Sequence, residues 1–218
     1  MFKFIFFVVL TLSYAPPSFA GFQRGNGGNI VFCADEARPM FLDYYLFLRQ
    51  EEKIFIPLLP PGQGSAENKA LNMIEPISQS FPRLTKKIAK SIRDFKREFF
   101  LIPNMPRVVV VDERLSSVLE TYNCQIHQLI FQQEEPTIEG IRYFVSSPHW
   151  KLLDDDQKAV AILHEAILRE YIGTENFYFK DPIQVVVKGL VGYALFKDEL
   201  ALNRAVRELS LLKKTPLF

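Results

Sequence analysis

The sequence predicts an α+β fold, a small central sheet packed against several helices in a single domain. Three observations carry this. Segments with helical apolar spacing occupy both ends of the chain, four consecutive valines stand in its middle (Arg107 to Val111), and no internal repeat is visible. Helices, then a few strands, then helices again is the order of an α+β domain.

The first 20 residues have the parts of a signal peptide. Lys3 is the only charge before Arg24, Phe4 to Leu12 is apolar, and Ser18-Phe19-Ala20 places small residues before a cut between Ala20 and Gly21. A membrane anchor needs about 20 continuous apolar residues, and this run is far shorter. No later stretch is long and apolar enough to span a bilayer, so no transmembrane segment is expected after cleavage. The mature chain is placed in the periplasm or the medium.

Residues 21–37 form a glycine-rich lead-in and a short strand, Asn29 to Cys33; residues 38–218 form the domain. Arg38 to Glu52 reads as a helix, with Phe41, Tyr44, Tyr45 and Leu48 at helical spacing. Pro57 to Ser65, with three prolines and two glycines, is a loop. Ala66 to Ser78 is helical. Pro82 to Phe99 is the clearest amphipathic helix, with Pro82 suited to its first turn and one apolar stripe from Leu84, Ile88, Ile92, Phe95 and Phe99. The sheet comes mainly from Arg107 to Ser146: the valines, Gln125 to Gln132, and Thr137 to Ser146, with a turn at Glu134-Glu135-Pro136. Asp155 to Tyr171, Ile183 to Lys197 and Glu199 to Lys213 are helices.

Cleavage removes 20 of the 218 residues and leaves 198, with 25 basic and 25 acidic side chains. A neutral chain speaks against general nucleic-acid binding, which needs a basic surface. The Pro82 helix carries Lys86, Lys90, Arg93 and Arg97 as a basic stripe. It reads as a solvated face diluted by Asp94 and Glu98, with an envelope or membrane-surface partner as the alternative. The two cysteines, Cys33 and Cys124, are expected to form one disulfide in the oxidising compartment, with two buried free thiols as the alternative.

One segment could carry chemistry, DDQKAVAILHEAILREY from Asp155 to Tyr171. Asp154 is its N-cap, Gln157 holds the capping-box position, and Gly173 follows its end. Val160, Leu163, His164, Ile167, Leu168 and Tyr171 share a face. His164 therefore points inward and Glu165 lies at the stripe's edge. His-Glu on an apolar helix invites comparison with HExxH, in which two histidines bind zinc and the glutamate activates water. Here Leu168 holds the second histidine's place. A zinc site would need His127 and His149 to join His164, with Glu170 or Glu175 in reserve and Glu165 as general base. The plainer reading makes His164 a hydrogen-bonded core residue and pairs Glu165 with Arg169 at i, i+4. The plainer reading requires no cofactor.

Other constellations are weaker. Gly25-Asn26-Gly27-Gly28 lacks a P-loop lysine. Ser116, Ser117, Ser146 and Ser147 lack a nucleophile-elbow context. Asp154 to Asp156 lacks EF-hand spacing.

GNGGNIVFC (Gly25 to Cys33), FLDYY (Phe41 to Tyr45) and DQKAVAILHEAILRE (Asp156 to Glu170) together resemble a group of uncharacterised exported proteins of predatory Gram-negative bacteria. The resemblance covers both ends of the mature chain and implies export and a shared fold, without an activity. The later helix also bears a distant similarity to HExxH zinc peptidases, from which it departs at Leu168. The function expected is a non-catalytic, envelope-associated binding or interaction protein; the alternative is a diverged metal-dependent hydrolase using His164 and Glu165. Whether the chain is an enzyme is left open by the sequence.

Overall fold

The structure is a computed structural model that describes residues 28–34, 36–50, 64–105, 123–133, 135–171 and 181–212. The signal peptide, the proline-rich loop as far as Gln63, the four valines and Glu175 lie outside the described residues. Within them the fold is α+β, as the alternation of patterns predicts.

Two three-stranded sheets replace the single central sheet expected. The first joins β1 (Asn29–Cys33), β2 (Met40–Phe41) and β4 (Cys124–Gln128) in the order β2-β1-β4, all antiparallel. The second joins β3 (Phe99–Ile102), β5 (Ile130–Gln132) and β6 (Tyr143–Ser146) in the order β3-β6-β5. Here β3 runs parallel and β5 antiparallel to β6.

The strand expected over Gln125 to Gln132 breaks at Leu129, where the chain passes from one sheet to the other. The junction is held by Gly28, whose carbonyl accepts from the N–H groups of Leu129 and Ile130, both at 3.0 Å. The strand expected over Thr137 to Ser146 begins only at Tyr143. Before it, Gly140 turns the chain at φ +82°, a backbone conformation that glycine adopts without a Cβ penalty.

The helices follow the apolar spacing closely. They are α1 (Leu42–Gln50), α2 (Ala66–Ile74, extended by a 3₁₀ turn to Ile77), α3 (Pro82–Glu98), the short α4 (Ser147–Trp150), α5 (Asp155–Tyr171), α6 (Asp181–Phe196) and α7 (Glu199–Leu212). At two boundaries a strand takes residues expected to be helical. Met40 and Phe41 pair with β1 before α1 begins, and Phe99 leaves α3 with ψ at 147° to open β3. A run of four apolar residues, Phe99 to Ile102, carries no period that separates helix from strand.

The α5 helix is the centre of the domain. It packs against α1, α2, α3, α6 and β2, and its residues Ala159 to Leu168 are all buried. Asp154 caps it through Oδ1, which accepts from Gln157 N–H at 2.8 Å. Gln157 does not complete a capping box; its Oε1 accepts from the Phe41 N–H at 2.8 Å instead. Asp156 pairs with the largely buried Lys69 of α2. At the other end, α6 and α7 form a tight hairpin. A Cβ at Gly189 would lie 2.5 Å from the Ala201 carbonyl oxygen and 2.7 Å from the Ala205 methyl, so the two helices approach only because that position is glycine.

Cys33 and Cys124 face each other across β1 and β4 and form a disulfide, the pairing expected. The bond spans a sequence separation of 91, which the chain-entropy account values at roughly 4 kcal/mol. Replacing both cysteines with serine should lower unfolding free energy by about that amount in urea titration. A loss below about 1 kcal/mol would mean that β1 is held in place by its other bonds alone.

Candidate functional site

The polar residues of α5 meet the N-terminal strand and α1 inside the domain. His164 and Glu165 are both buried, and Glu165 has no solvent exposure at all. This corrects the placement of Glu165 at the edge of the apolar stripe: α5 is covered nearly all round, so the edge is also interior.

Each group has a partner from a distant part of the chain. His164 Nδ1 lies 2.5 Å from Asp43 Oδ2 of α1, and the imidazole stands edge-on to Phe41. Glu165 Oε1 accepts from the Gly28 N–H at 2.5 Å. The Gln132 side-chain amide of β5 lies against the other carboxylate oxygen; assigned with the nitrogen facing the glutamate, as the surrounding acceptors require, it donates to Glu165 Oε2 at 2.9 Å and to the Glu165 backbone carbonyl at 3.2 Å. Gly28 has no room for a side chain: a Cβ there would lie 2.4 Å from Phe41 and 3.3 Å from Glu165 Oε1.

The expected Glu165–Arg169 pair does not form. Arg169 Nη1 instead donates to Glu98 Oε2 at 2.8 Å, and Arg142 Nε lies 3.6 Å from the same oxygen. One acid at the end of α3 thus serves two arginines, from α5 and from the approach to β6. Glu170 accepts from Ser91 of α3 at 3.1 Å.

The three histidines are not brought together. His127 and His149 pack edge to face, 5.3 Å between ring centres, with the Phe32 ring in the same T-shaped arrangement to both. His149 Nδ1 hydrogen-bonds Ser146 Oγ at 3.0 Å. Burial and the neighbouring His127 hold the His149 pKa below its usual value. His164 belongs to the separate group around Asp43. Among the described residues no set of three or more His, Cys, Asp or Glu side chains is placed to hold a metal ion. The zinc set of His164, His127 and His149 is thus not assembled among the described residues. Leu168 provides no second ligand on α5, and the other two histidines are committed around Phe32.

Burial sets the protonation of the HE pair. It lifts the Glu165 carboxyl to about 7, although His164 and the Gly28 N–H both favour the charged form. For His164, burial opposes the imidazolium, but the Asp43 carboxylate outweighs it and the pKa rises above 6.5. The Tyr143 hydroxyl, near Arg169 and Glu165, is likewise raised by burial.

Sequence reasoning missed Asp43, Gly28 and Gln132 as partners. Asp43 carried a signal, a lone acid inside the aromatic run FLDYYLF, since a buried acid requires a partner. Gly28 and Gln132 carried none, because their roles depend on how strands distant in sequence meet.

Comparison with protein-family models, with curated proteins and with solved structures finds no match for this chain.

Two predictions follow from these bonds. Removing the His164 imidazole leaves the Asp43 carboxylate buried without its partner, so His164→Ala should cost about 3–5 kcal/mol in urea unfolding. A cost below 1 kcal/mol would show that the Asp43 contact contributes little. The pH dependence has a definite sign. Folded Glu165 and folded His164 both hold protons that the unfolded chain releases at lower pH. Their stability contributions are therefore fully present at pH 4.5 and lost as pH rises through 7 and beyond. Stability should fall between pH 5 and 8. Glu165→Gln should flatten that fall and be the more stable form at pH 8, by up to about 3 kcal/mol. Parent stability that climbs over this range would contradict the assignment.

Proposed function

We propose that the chain is an exported, non-catalytic binding or interaction protein of the cell envelope, in which the His164-Glu165 pair locks the fold. The observation that carries this reading is the satisfaction of Glu165: both carboxylate oxygens are used internally and none of the residue meets solvent. A general base must reach the proton it removes, directly or through one water, and this carboxylate reaches the Gly28 N–H and the Gln132 amide.

Export is supported by the signal-peptide pattern of the first 20 residues and by the Cys33–Cys124 bond, a feature of oxidising compartments. The resemblance to exported proteins of predatory bacteria points the same way. No helix among the described residues is long and apolar enough to cross a membrane.

The competing reading, a diverged zinc hydrolase, draws on one observation. A carboxyl lifted to about 7 is poised as a base would be. The burial that lifts it also keeps it from a substrate, and α5 supplies one histidine where the zinc motif needs two.

Two measurements test the proposal. Expressed with its leader in a Gram-negative host, the protein should be recovered from the periplasm with Gly21 as its first residue and no free thiol. Retention in the cytoplasm with an intact N-terminus would remove the export reading. The mature protein, purified without chelator or nickel, should hold no stoichiometric metal. Near-stoichiometric zinc, lost in His164→Ala, would establish the hydrolase reading instead.

A further inference from the structure

We infer that the outer face of α3 is a docking surface for an anionic lipid bilayer. The inference deepens the envelope-binding reading above and rests on it for location alone.

The helix α3 carries seven cations and two carboxylates, on a chain whose total charge is +1. Its apolar stripe, Leu84, Ile88, Ile92 and Phe95, is fully used against the core. At 100° per residue, Lys86, Lys90, Arg93 and Arg97 fall within a narrow sector opposite that stripe and span about 16 Å along the axis. All four are exposed, with Lys90 and Arg97 at 70% and 73%.

The two carboxylates do not cancel this charge. Glu98 is drawn inward to Arg169 and Arg142, 4.0 Å from Arg97 at its nearest. Asp94 alone bridges Lys90 and Arg97. Among the described residues no carboxylate pairs with Lys86 or Arg93.

Two exposed apolar side chains, Phe100 and Leu101, follow the last turn of the helix. A cationic helix followed directly along the chain by exposed aromatic and aliphatic groups suits a bilayer interface, which takes up both. A nucleic acid would use the cations and leave the apolar pair in water. Because the helix's own apolar face is buried, α3 lies on the headgroups without inserting. Its attraction is therefore electrostatic and sensitive to salt.

The test is partition of the mature protein onto vesicles of phosphatidylcholine with 30% phosphatidylglycerol, against pure phosphatidylcholine. Binding is expected only to the anionic vesicles, falling steeply between 50 and 300 mM salt as the Debye length shortens from roughly 14 to roughly 6 Å. Lys86→Gln, Lys90→Gln, Arg93→Gln and Arg97→Gln together should lower the partition coefficient more than a hundredfold, about fivefold per cation. The control, Lys151→Gln, Arg204→Gln and Arg207→Gln, should change it less than threefold for each cation removed. Phe100→Ser should lower it roughly tenfold without altering the salt slope. Near-ultraviolet circular dichroism checks that each variant is folded. The inference is overturned if the parent binds both vesicles alike, if the quadruple variant binds as well as the parent, or if the stripe binds duplex DNA and not vesicles. None of these outcomes touches the zinc measurement, so this inference and the non-catalytic reading fail separately.

Discussion

A carboxylate with no access to water organises this domain. Burying Glu165 costs several kcal/mol unless its oxygens are satisfied, and the groups that satisfy it come from segments far apart in the sequence. The Gly28 N–H brings the start of β1, and the Gln132 amide brings β5. Gly28 then uses its carbonyl to hold Leu129 and Ile130 at the point where the two sheets meet. One glycine thus fixes β1, both sheets and the central helix against each other. Its missing side chain is the geometric condition for all of it.

The remaining polar contacts repeat this logic around the same helix. Asp43 and His164 tie α1 to α5, Lys69 and Asp156 tie α2 to its first turn, and Glu98 ties α3 to its last turn through Arg169. Gln157 holds the backbone of Phe41. Apolar burial supplies the driving force for packing α5, and it is non-directional. These bonds add direction: each fixes a different neighbour at a different height along the helix. The disulfide then closes the first sheet covalently at the end of β1 away from Gly28.

The periodic part of the fold was legible in the sequence, and the pairing part was not. The α3 and α5 helices follow apolar spacing almost residue for residue, because a helix writes its face every three or four positions. The Asp154 cap was readable for the same reason of short range. Phe99 was expected as the last residue of α3, and the strand it opens was not foreseen, because the four apolar residues Phe99 to Ile102 carry no distinguishing period. The break at Leu129 depends on a glycine a hundred positions away. Within the site, the inward direction of His164 and its hydrogen bond were foreseen. Asp43 as its partner was not foreseen, nor was the transfer of Arg169 from Glu165 to Glu98. A local i, i+4 pair is the default only when both side chains meet solvent. Here one of them was claimed by the interior.

The pair His164-Glu165 shows how little a short motif says without its surroundings. In a zinc peptidase the helix presents histidine twice on one face, and the metal lies in an open cleft that water enters. In this chain Leu168 fills the second place and seals the face. The same glutamate then serves a backbone N–H, and the histidine serves an aspartate. Elevated pKa values accompany both situations, since burial raises a carboxyl whether or not a substrate can reach it. Exposure separates the two. On the reading proposed above, the polar groups of α5 serve cohesion, and contact with other molecules falls to groups on the outside. Among the described residues these include the cationic face of α3, on which Asp94 offsets Lys90 and Arg97 while Glu98 is turned mainly inward. The polar lock at the core and the charge at the surface are in this sense connected: the acid that holds Arg169 at 2.8 Å and Arg142 at 3.6 Å keeps only a 4.0 Å approach to Arg97 of its own helix.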